Sequence, residues 1–306
     1  MAELNEKAKK VFALKYSTGK TKTWKDTCKK ISDFIAGAEK KFGATDEEIN
    51  QLSEQFYNSL HELQYLPGGR TIANAGTGIK NLANCFVLGI EDSRDSIYNT
   101  LHDAAEVFAD GGGVGYNFSH IREEGAEIRS TGGKASGPLS FMSLFDQTGE
   151  VISQASRRGA QLAALDISHA DIIKFIGFKS TLNSRNKRLM QEYDRNLHVV
   201  NGMINGTKYE RILEKTLLDD QLTHFNISVM LTDEFMEAVE KDEDWNLISP
   251  LNGKVVNTVK AKDLLMMIAT QAHKSGDPGA INKSAMNKDN LVPYIGEIEA
   301  TNPCGR

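Results

Sequence analysis

The sequence predicts an α/β protein that begins with a helical region over residues 1–65, and three observations carry that reading. The first 65 residues repeat apolar positions at helical spacing, residues from Leu66 onward fall into short apolar runs punctuated by glycine, and those runs alternate with amphipathic stretches. Strand–helix alternation of this kind builds a layered or barrel sheet covered by helices.

In the amino-terminal region, Val11, Leu14 and Lys15 mark a first helix, and Trp24, Ile31, Phe34 and Ile35 a second. A third carries Ile49, Leu52, Phe56, Leu60 and Leu63 and opens on the acidic run Asp46-Glu47-Glu48, which suits the positive end of a helix dipole. The glycine-punctuated runs that follow are LPGGRTIANAGTG, NCFVLGI and GGGVGYNF. Asp92 or Ser93 caps a helix whose stripe is Ile97, Leu101, Ala105 and Phe108. Pro138 opens another, with Phe141, Met142, Phe145 and Ile152 on one face. Both stripes read either as core or as a dimer face. Residues 177–222 are polar and charge-rich and read as a solvated insertion with a helix-like end at Tyr209–Leu218. Phe225–Leu231 reads as a strand, Thr232 caps a helix through Val239, and Ala261–His273 is a further apolar-faced helix. The domain division expected is therefore 1–65 and 66–306.

Composition narrows the function classes. With 36 Lys+Arg against 41 Asp+Glu the net charge is −5, so the domain-wide basic footprint of a dedicated DNA or RNA binder is absent. Hydrophobic residues at 40% and charged residues at 25% are ordinary globular usage. Cys28, Cys85 and Cys304 are odd in number and far apart, with no C-x-x-C pair, which argues against a disulfide scaffold and for reduced thiols in the cytoplasm. The amino terminus has no apolar signal region and no window approaches 18 continuous apolar residues, so neither secretion nor a membrane span is expected.

Several motifs invite and fail a chemical reading. Gly19-Lys20-Thr21 ends like a phosphate-binding loop, but the glycine required five residues earlier is Leu14. Gly111-Gly112-Gly113-Val114-Gly115 lacks the third glycine of a dinucleotide fingerprint, the position being Phe118. Backbone without side chains there suits either close packing or ligand contact. His61-Glu62 has Tyr65 where a second metal ligand belongs, and no metal site is expected. Arg157-Arg158-Gly159 reads either as a phosphate clamp or as a solvated basic pair. Cys304 lies in Thr301-Asn302-Pro303-Cys304-Gly305, where Pro and Gly stiffen a loop tip. This suits nucleophilic or radical chemistry, or an inert thiol in a turn.

Taken in chain order, Leu66-Pro67 with NAGT at 74–77, NCFVL at 84–88, EDSRDSI at 91–97, GGGVGYNFS at 111–119, STGGKASGPLSFM at 130–142, SRRGAQ at 156–161, FNISV at 225–229, KSGDPG at 274–279 and TNPCG at 301–305 resemble the catalytic subunit of ribonucleotide reductase. STGGKASGP and NPCG match its adenosylcobalamin-dependent class. The resemblance implies the first half of a ten-stranded α/β barrel, ending at a finger loop that threads the barrel's centre. It implies Cys304 as the thiyl-radical carrier, Asn302 as the ribose-hydroxyl partner and Cys85 as one of two reducing thiols. Thr71, Asn84, Gly112 and Gly113 would then contact substrate, and Asp92, Ser93, Arg122, Gln154 and Arg157 a deoxynucleotide effector. The implied cofactors are adenosylcobalamin and a redox-active dithiol; the implied partners are a carboxy-terminal half, the nucleotides, a thioredoxin-like reductant and a second copy forming a homodimer.

Three departures from the family pattern stand out. Arg306 occupies the position of the family's proton-transferring Glu, and an arginine stays protonated. The second barrel half, with the partner of Cys85 and the carboxy-terminal redox cysteines, is expected beyond Arg306. The 177–222 segment is also longer than in the dimeric cobalamin-dependent enzymes. Two other readings follow from these features: a catalytically silent effector-binding or assembly module, and a reductase whose radical comes from a metal-bearing subunit. No ATP-binding cone is evident before residue 66, so overall control by ATP or dATP is not expected.

Overall fold

The structure, a computed structural model, describes residues 4–17, 21–79, 81–128, 131–152, 159–179, 222 and 225–304. Two compact units divide at Asn84/Cys85. The division falls later than the expected residue 65 because Ile72, Ala75 and Leu82 pack with Cys28, Ile31 and Leu60 in the helical unit's own core. The run LPGGRTIANAGTG is accordingly not a strand: Gly69–Asn74 form a short helix, α4, whose Ile72 and Ala73 carbonyls accept from Lys30 Nζ at 3.3 and 3.4 Å.

The first unit also holds α1 (Glu6–Lys15), α2 (Trp24–Ala36) and α3 (Asp46–His61), with a short 3-10 segment at Gly37–Phe42. Capping boxes start the two longer helices: Thr23 with Asp26, and Thr45 with Glu48 inside the acidic run. In α1 the buried residue is Phe12, while Val11 and Leu14 are exposed, so the stripe expected there is shifted by one position. Phe12 meets Trp24 edge-on with ring centroids 6.1 Å apart.

The second unit is built on five parallel strands in the order β1 (Cys85–Leu88), β2 (Gly113–Asn117), β5 (Gln161–Asp166), β6 (Phe225–Leu231) and β9 (Gly279–Asn282). All four pairings are parallel. Each therefore needs a crossover, and helices supply them: α5 (Arg94–Ala109) between β1 and β2, α6 (Gly137–Val151) before β5, helical residues 172–179 (α7) after it, and α8 (Asp233–Glu240) with α9 (Ala261–Ser275) before β9. Helix α10 (Lys283–Lys288) follows β9. Two antiparallel pairs are added, β3 (Glu127–Ile128) with β4 (Gly133–Lys134), and β7 (Asp244–Ile248) with β8 (Val255–Lys260). This is the predicted α/β class, with a helical region followed by a parallel sheet of the strand number in one half of the ten-stranded barrel. No helix of the described residues is long and apolar enough to cross a membrane. Most of the polar insertion, residues 180–221, lies outside the described residues.

Side chains alternate across the sheet. On the helix-covered face Val114, Tyr116, Ala163, Leu165, Phe225, Ile227 and Val229 join Phe108, Met142 and Phe145 in the principal core. An aromatic cluster anchors it: Tyr116 lies 4.9 Å from Phe145 and Phe118 5.6 Å from Phe145, centroid to centroid, both edge-on. The Tyr116 hydroxyl donates to Gln161 Oε1 at 3.2 Å, and Gln161 Nε2 donates to the Phe145 carbonyl at 2.9 Å, so the polar atoms in this core are partnered. Along α5 the buried positions are Ile97, Thr100, Ala104 and Phe108, so Ala104 is buried where the sequence pattern places Ala105. Phe145→Ala should lower stability by about 3–5 kcal/mol through the cavity it leaves, read as a fall in the urea midpoint.

Candidate active site

The opposite face of the sheet is built for a chain segment to lie upon. Register pairs Cys85 with Gly113, Val87 with Gly115, and Leu162 with both Gly115 and Asn226. Alternation thus sets Cys85, Gly113, Gly115 and Asn226 on one surface. Residues 301–304 cross that surface. A β-carbon on Gly115 would stand 1.8 Å from the Thr301 carbonyl oxygen and 3.1 Å from Asn302 Cα. One on Gly113 would stand 3.2 Å from Pro303 Cγ and 3.0 Å from the Ala160 carbonyl oxygen. Only glycine admits the loop this closely. Asn226 Nδ2 donates to the Pro303 carbonyl at 3.4 Å, and Pro303 itself is buried.

Cys304 is exposed at the tip of this loop, and Cys85 is half-buried at the start of β1. Their sulfurs are 4.0 Å apart, within hydrogen-bonding contact of each other. Burial, and then the Cys304 sulfur beside it, push the Cys85 thiol above its ordinary value of 9.0; the Gly113 backbone N–H and the Asn302 side chain, both hydrogen-bonded to it, pull the other way. Cys304, Cys85, Asn302 and Gly113 are therefore one constellation. Gly112 faces elsewhere: a β-carbon there would meet Val107 and Phe86, and its N–H donates to the Val107 carbonyl at 2.8 Å. Thr71 and Asn84 belong to the helical unit, where Thr71 Oγ1 donates to the Leu82 carbonyl and Asn84 Oδ1 accepts from the Arg70 N–H, both at 3.1 Å. Gly115 and Asn226 escape the sequence reading. Their signals were the period-two glycines of Gly113-Val114-Gly115 and a lone amide in the apolar strand Phe225–Leu231.

A second feature is a cavity of about 590 Å³ at the amino terminus of α5. Asp92, Ser93 and Arg122 all line it, together with Arg94, Lys134 and Phe141. Ser93 caps α5 by accepting from the Ser96 N–H, which settles the choice between Asp92 and Ser93. Asp92 instead holds Arg122: Arg122 Nε donates to Asp92 Oδ2 at 2.7 Å and its backbone N–H to Oδ1 at 3.3 Å. Behind the cavity, His169 is buried, accepts the Asp171 N–H on Nδ1 at 2.9 Å, and so donates from Nε2 to the Ile121 carbonyl at 2.9 Å. This fixes the residue preceding Arg122. Arg94 and Lys134 were not singled out from the sequence because neither stands in a phosphate-binding motif. Gln154, Arg157 and Arg306 lie outside the described residues. Among the described residues no cluster of three or more His, Cys, Asp or Glu side chains is placed to hold a metal ion.

Comparison with known proteins covers both units. The family model for the ribonucleotide reductase all-alpha domain matches residues 2–80, and that for the ribonucleotide reductase barrel domain matches residues 83–305. The chain belongs to the ribonucleotide reductase family. The junction of the two family domains falls where the structure divides, beside Asn84 and Cys85. The vitamin B12-dependent ribonucleoside-diphosphate reductase of Mycobacterium tuberculosis (strain CDC 1551 / Oshkosh) is 41% identical over 254 residues, covering 83% of this chain and 32% of that protein. The protein of the same name from Thermoplasma acidophilum is 35% identical over 280 residues, covering 91% of this chain and 31% of its own length. The vitamin B12-dependent ribonucleotide reductase of Streptomyces clavuligerus is 31% identical, with 88% and 27% covered. This chain thus spans about a third of the length of these reductases.

Two outcomes test the site's physical basis. Gly115→Ala should lift the loop and speed amide hydrogen exchange across 299–304, whereas Gly89→Ala, with open space around its β-carbon, should leave that exchange unchanged. Burial holds His169 below its ordinary value of 6.5, so the unfolded chain binds its proton first as pH falls. Stability should therefore be complete above pH 6.5 and decline below it, until the folded-state value is reached. Urea unfolding of a His169→Gln variant should lack that component of the decline.

Proposed function

We propose that this chain is the amino-terminal part of a cobalamin-dependent ribonucleotide reductase, converting ribonucleotides to 2′-deoxyribonucleotides once a carboxy-terminal half completes its barrel. The observation that carries the reading is the loop of residues 301–304, seated on a glycine floor with the Cys304 sulfur 4.0 Å from that of Cys85. Cys304 is the residue that, as a thiyl radical, takes the 3′-hydrogen of the ribose. Asn302 hydrogen-bonds the ribose hydroxyls. Cys85 supplies one of the two thiols whose oxidation to a disulfide balances loss of the 2′-hydroxyl as water. The second reducing thiol comes from the carboxy-terminal half, and a thioredoxin-like dithiol restores the pair.

The exposed Cys304 sulfur fits a bulky radical source arriving from outside the chain, and the cobalamin dependence in the relatives' names supports that source. Adenosylcobalamin, when bound, supplies the oxidising radical. Of this chain, Cys304 and its loop would meet the cofactor, the rest of whose site belongs to the completed barrel. Gly113, whose bare backbone seats Pro303, is proposed as a substrate contact from the family resemblance. Thr71, Asn84 and Gly112 are carried as substrate contacts by the family resemblance alone. Cys304, Asn302 and Cys85 all standing together weigh against a silent module.

The cavity at α5 is proposed as the effector site, with Asp92 and Ser93 toward the ribose, and Arg122, helped by Arg94 and Lys134, toward the phosphates. Gln154 and Arg157, which lie outside the described residues, are assigned to the effector by the family resemblance alone. Tyr98, Leu144 and Val151, exposed on α5 and α6, suit a homodimer face. The chain, mixed with a matching carboxy-terminal half, adenosylcobalamin, a dithiol and a ribonucleoside diphosphate, should form deoxyribonucleotide. Cys304→Ala should abolish the product, and product formed by that variant would overturn the radical assignment. Asp92→Ala should weaken deoxynucleotide binding about tenfold, consistent with loss of a charge-assisted contact that orders Arg122, as read by equilibrium dialysis.

A further inference from the structure

We propose that Cys85 and Cys304 join each other in a disulfide, a covalent state of the pair that is distinct from the thiol roles assigned above. The inference rests on the geometry of the two thiols and stands whether or not the completed protein reduces nucleotides. Their sulfurs are 4.0 Å apart although 219 positions separate them in sequence. Bond formation needs an approach of about 2 Å, a displacement that one change of side-chain rotamer gives a sulfur atom.

The surroundings hold the pair in register. Cys85 is tied into the parallel ladder opposite Gly113, and the loop behind Cys304 is fixed by buried Pro303 and by Asn226 on its carbonyl. One thiol is open to reagents and the other half-covered, the arrangement in which an accessible sulfur is oxidised first and a neighbouring one resolves it. Cys28, the remaining thiol, is fully buried in the helical unit, and burial pushes it up to about 12, so it stays a protonated bystander.

The chemistry balances with a small-molecule disulfide as oxidant. The Cys304 thiolate attacks it, its S–S bond breaks, and the departing thiolate takes up the proton that Cys304 gave to solvent. The Cys85 thiolate then attacks the Cys304 sulfur in the mixed disulfide, forming the internal bond and releasing the second small thiol, which is protonated in turn. Two cysteine thiols are oxidised to one disulfide and one small disulfide is reduced to two thiols. Because burial raises Cys85, the second step should quicken as pH rises through the alkaline range. The product masks both sulfurs of the site until a dithiol reopens it, so oxidised chain is stored in a form that a reductant returns to service.

The test incubates the full chain with glutathione disulfide at pH 8, quenches with an alkylating agent and maps tryptic peptides without reduction. The expected result is that most of the chain loses two hydrogens in intact mass and yields peptides 81–94 and 289–306 linked to each other, with Cys28 alkylated only after unfolding. Dithiothreitol should reverse the link. Cys28→Ser should retain it, while Cys85→Ser should leave a glutathione adduct on Cys304 that does not resolve. A persistent adduct on Cys304 in the unaltered chain, a link to Cys28, or a link between two copies would each overturn the proposal. The readout is independent of turnover, so an inactive reconstituted reductase that still forms the link would fault the functional reading and not this one.

Discussion

The contact between bare backbone on β2 and the loop of residues 301–304 is the constraint on which the rest of the second unit depends. A strand has two faces, and Gly113-Val114-Gly115-Tyr116 assigns them opposite tasks. Val114 and Tyr116 enter the aromatic core under α6, while the two glycines leave the other face flat enough for main chain to lie on main chain. Any side chain at Gly115 would occupy the space of the Thr301 carbonyl. The cost of glycine in a strand is lost packing and greater chain entropy. Here it is offset by the core on the other face, where Tyr116, Phe118, Phe145 and Phe225 pack with their rings edge to face or tilted.

That division of labour also explains how two cysteines so distant in sequence come to share one environment. Parallel pairing puts Cys85 beside Gly113, the glycines bring in residues 301–304, and Asn226 from a third strand holds the Pro303 carbonyl. The α5 cavity follows a comparable logic. Asp92 holds Arg122 by side chain and backbone, and His169, kept neutral by burial, holds the carbonyl just before Arg122. Both sites are thus supported from behind by buried groups with satisfied hydrogen bonds, which limits how far their exposed residues can wander.

Much of this was legible in the residues. Strand–helix alternation, the Ser or Asp cap before Ile97, Pro138 at a helix start, and the strand Phe225–Leu231 all express local preferences that the fold retains. Where the reading slipped, tertiary burial overrode local pattern. Phe12 is buried in place of Val11 and Leu14 because Trp24 supplies its partner. Gly69–Asn74 within LPGGRTIANAGTG form a helix, and the run joins the first unit because Ile72 and Ala75 fill the α2–α3 core. Gly112 and Gly113, equivalent as letters, part company because adjacent residues of an extended chain face opposite ways: one packs on Val107 and Phe86, the other on Pro303.

By itself the sequence determined the class of fold, the family through its ordered motifs, and the identity of the three cysteines, because these depend on residue type, spacing and periodicity. The tertiary structure decided which residues stand together. Sequence separation carries no information about distance once parallel crossovers fold the chain back, so the 4.0 Å between Cys85 and Cys304 could come only from the register of the strands and the glycine floor between them. The same holds for Arg94 and Lys134 beside Arg122: three cations scattered through the chain come to line one cavity only when α5, the segment after β2 and the paired strands β3 and β4 enclose it.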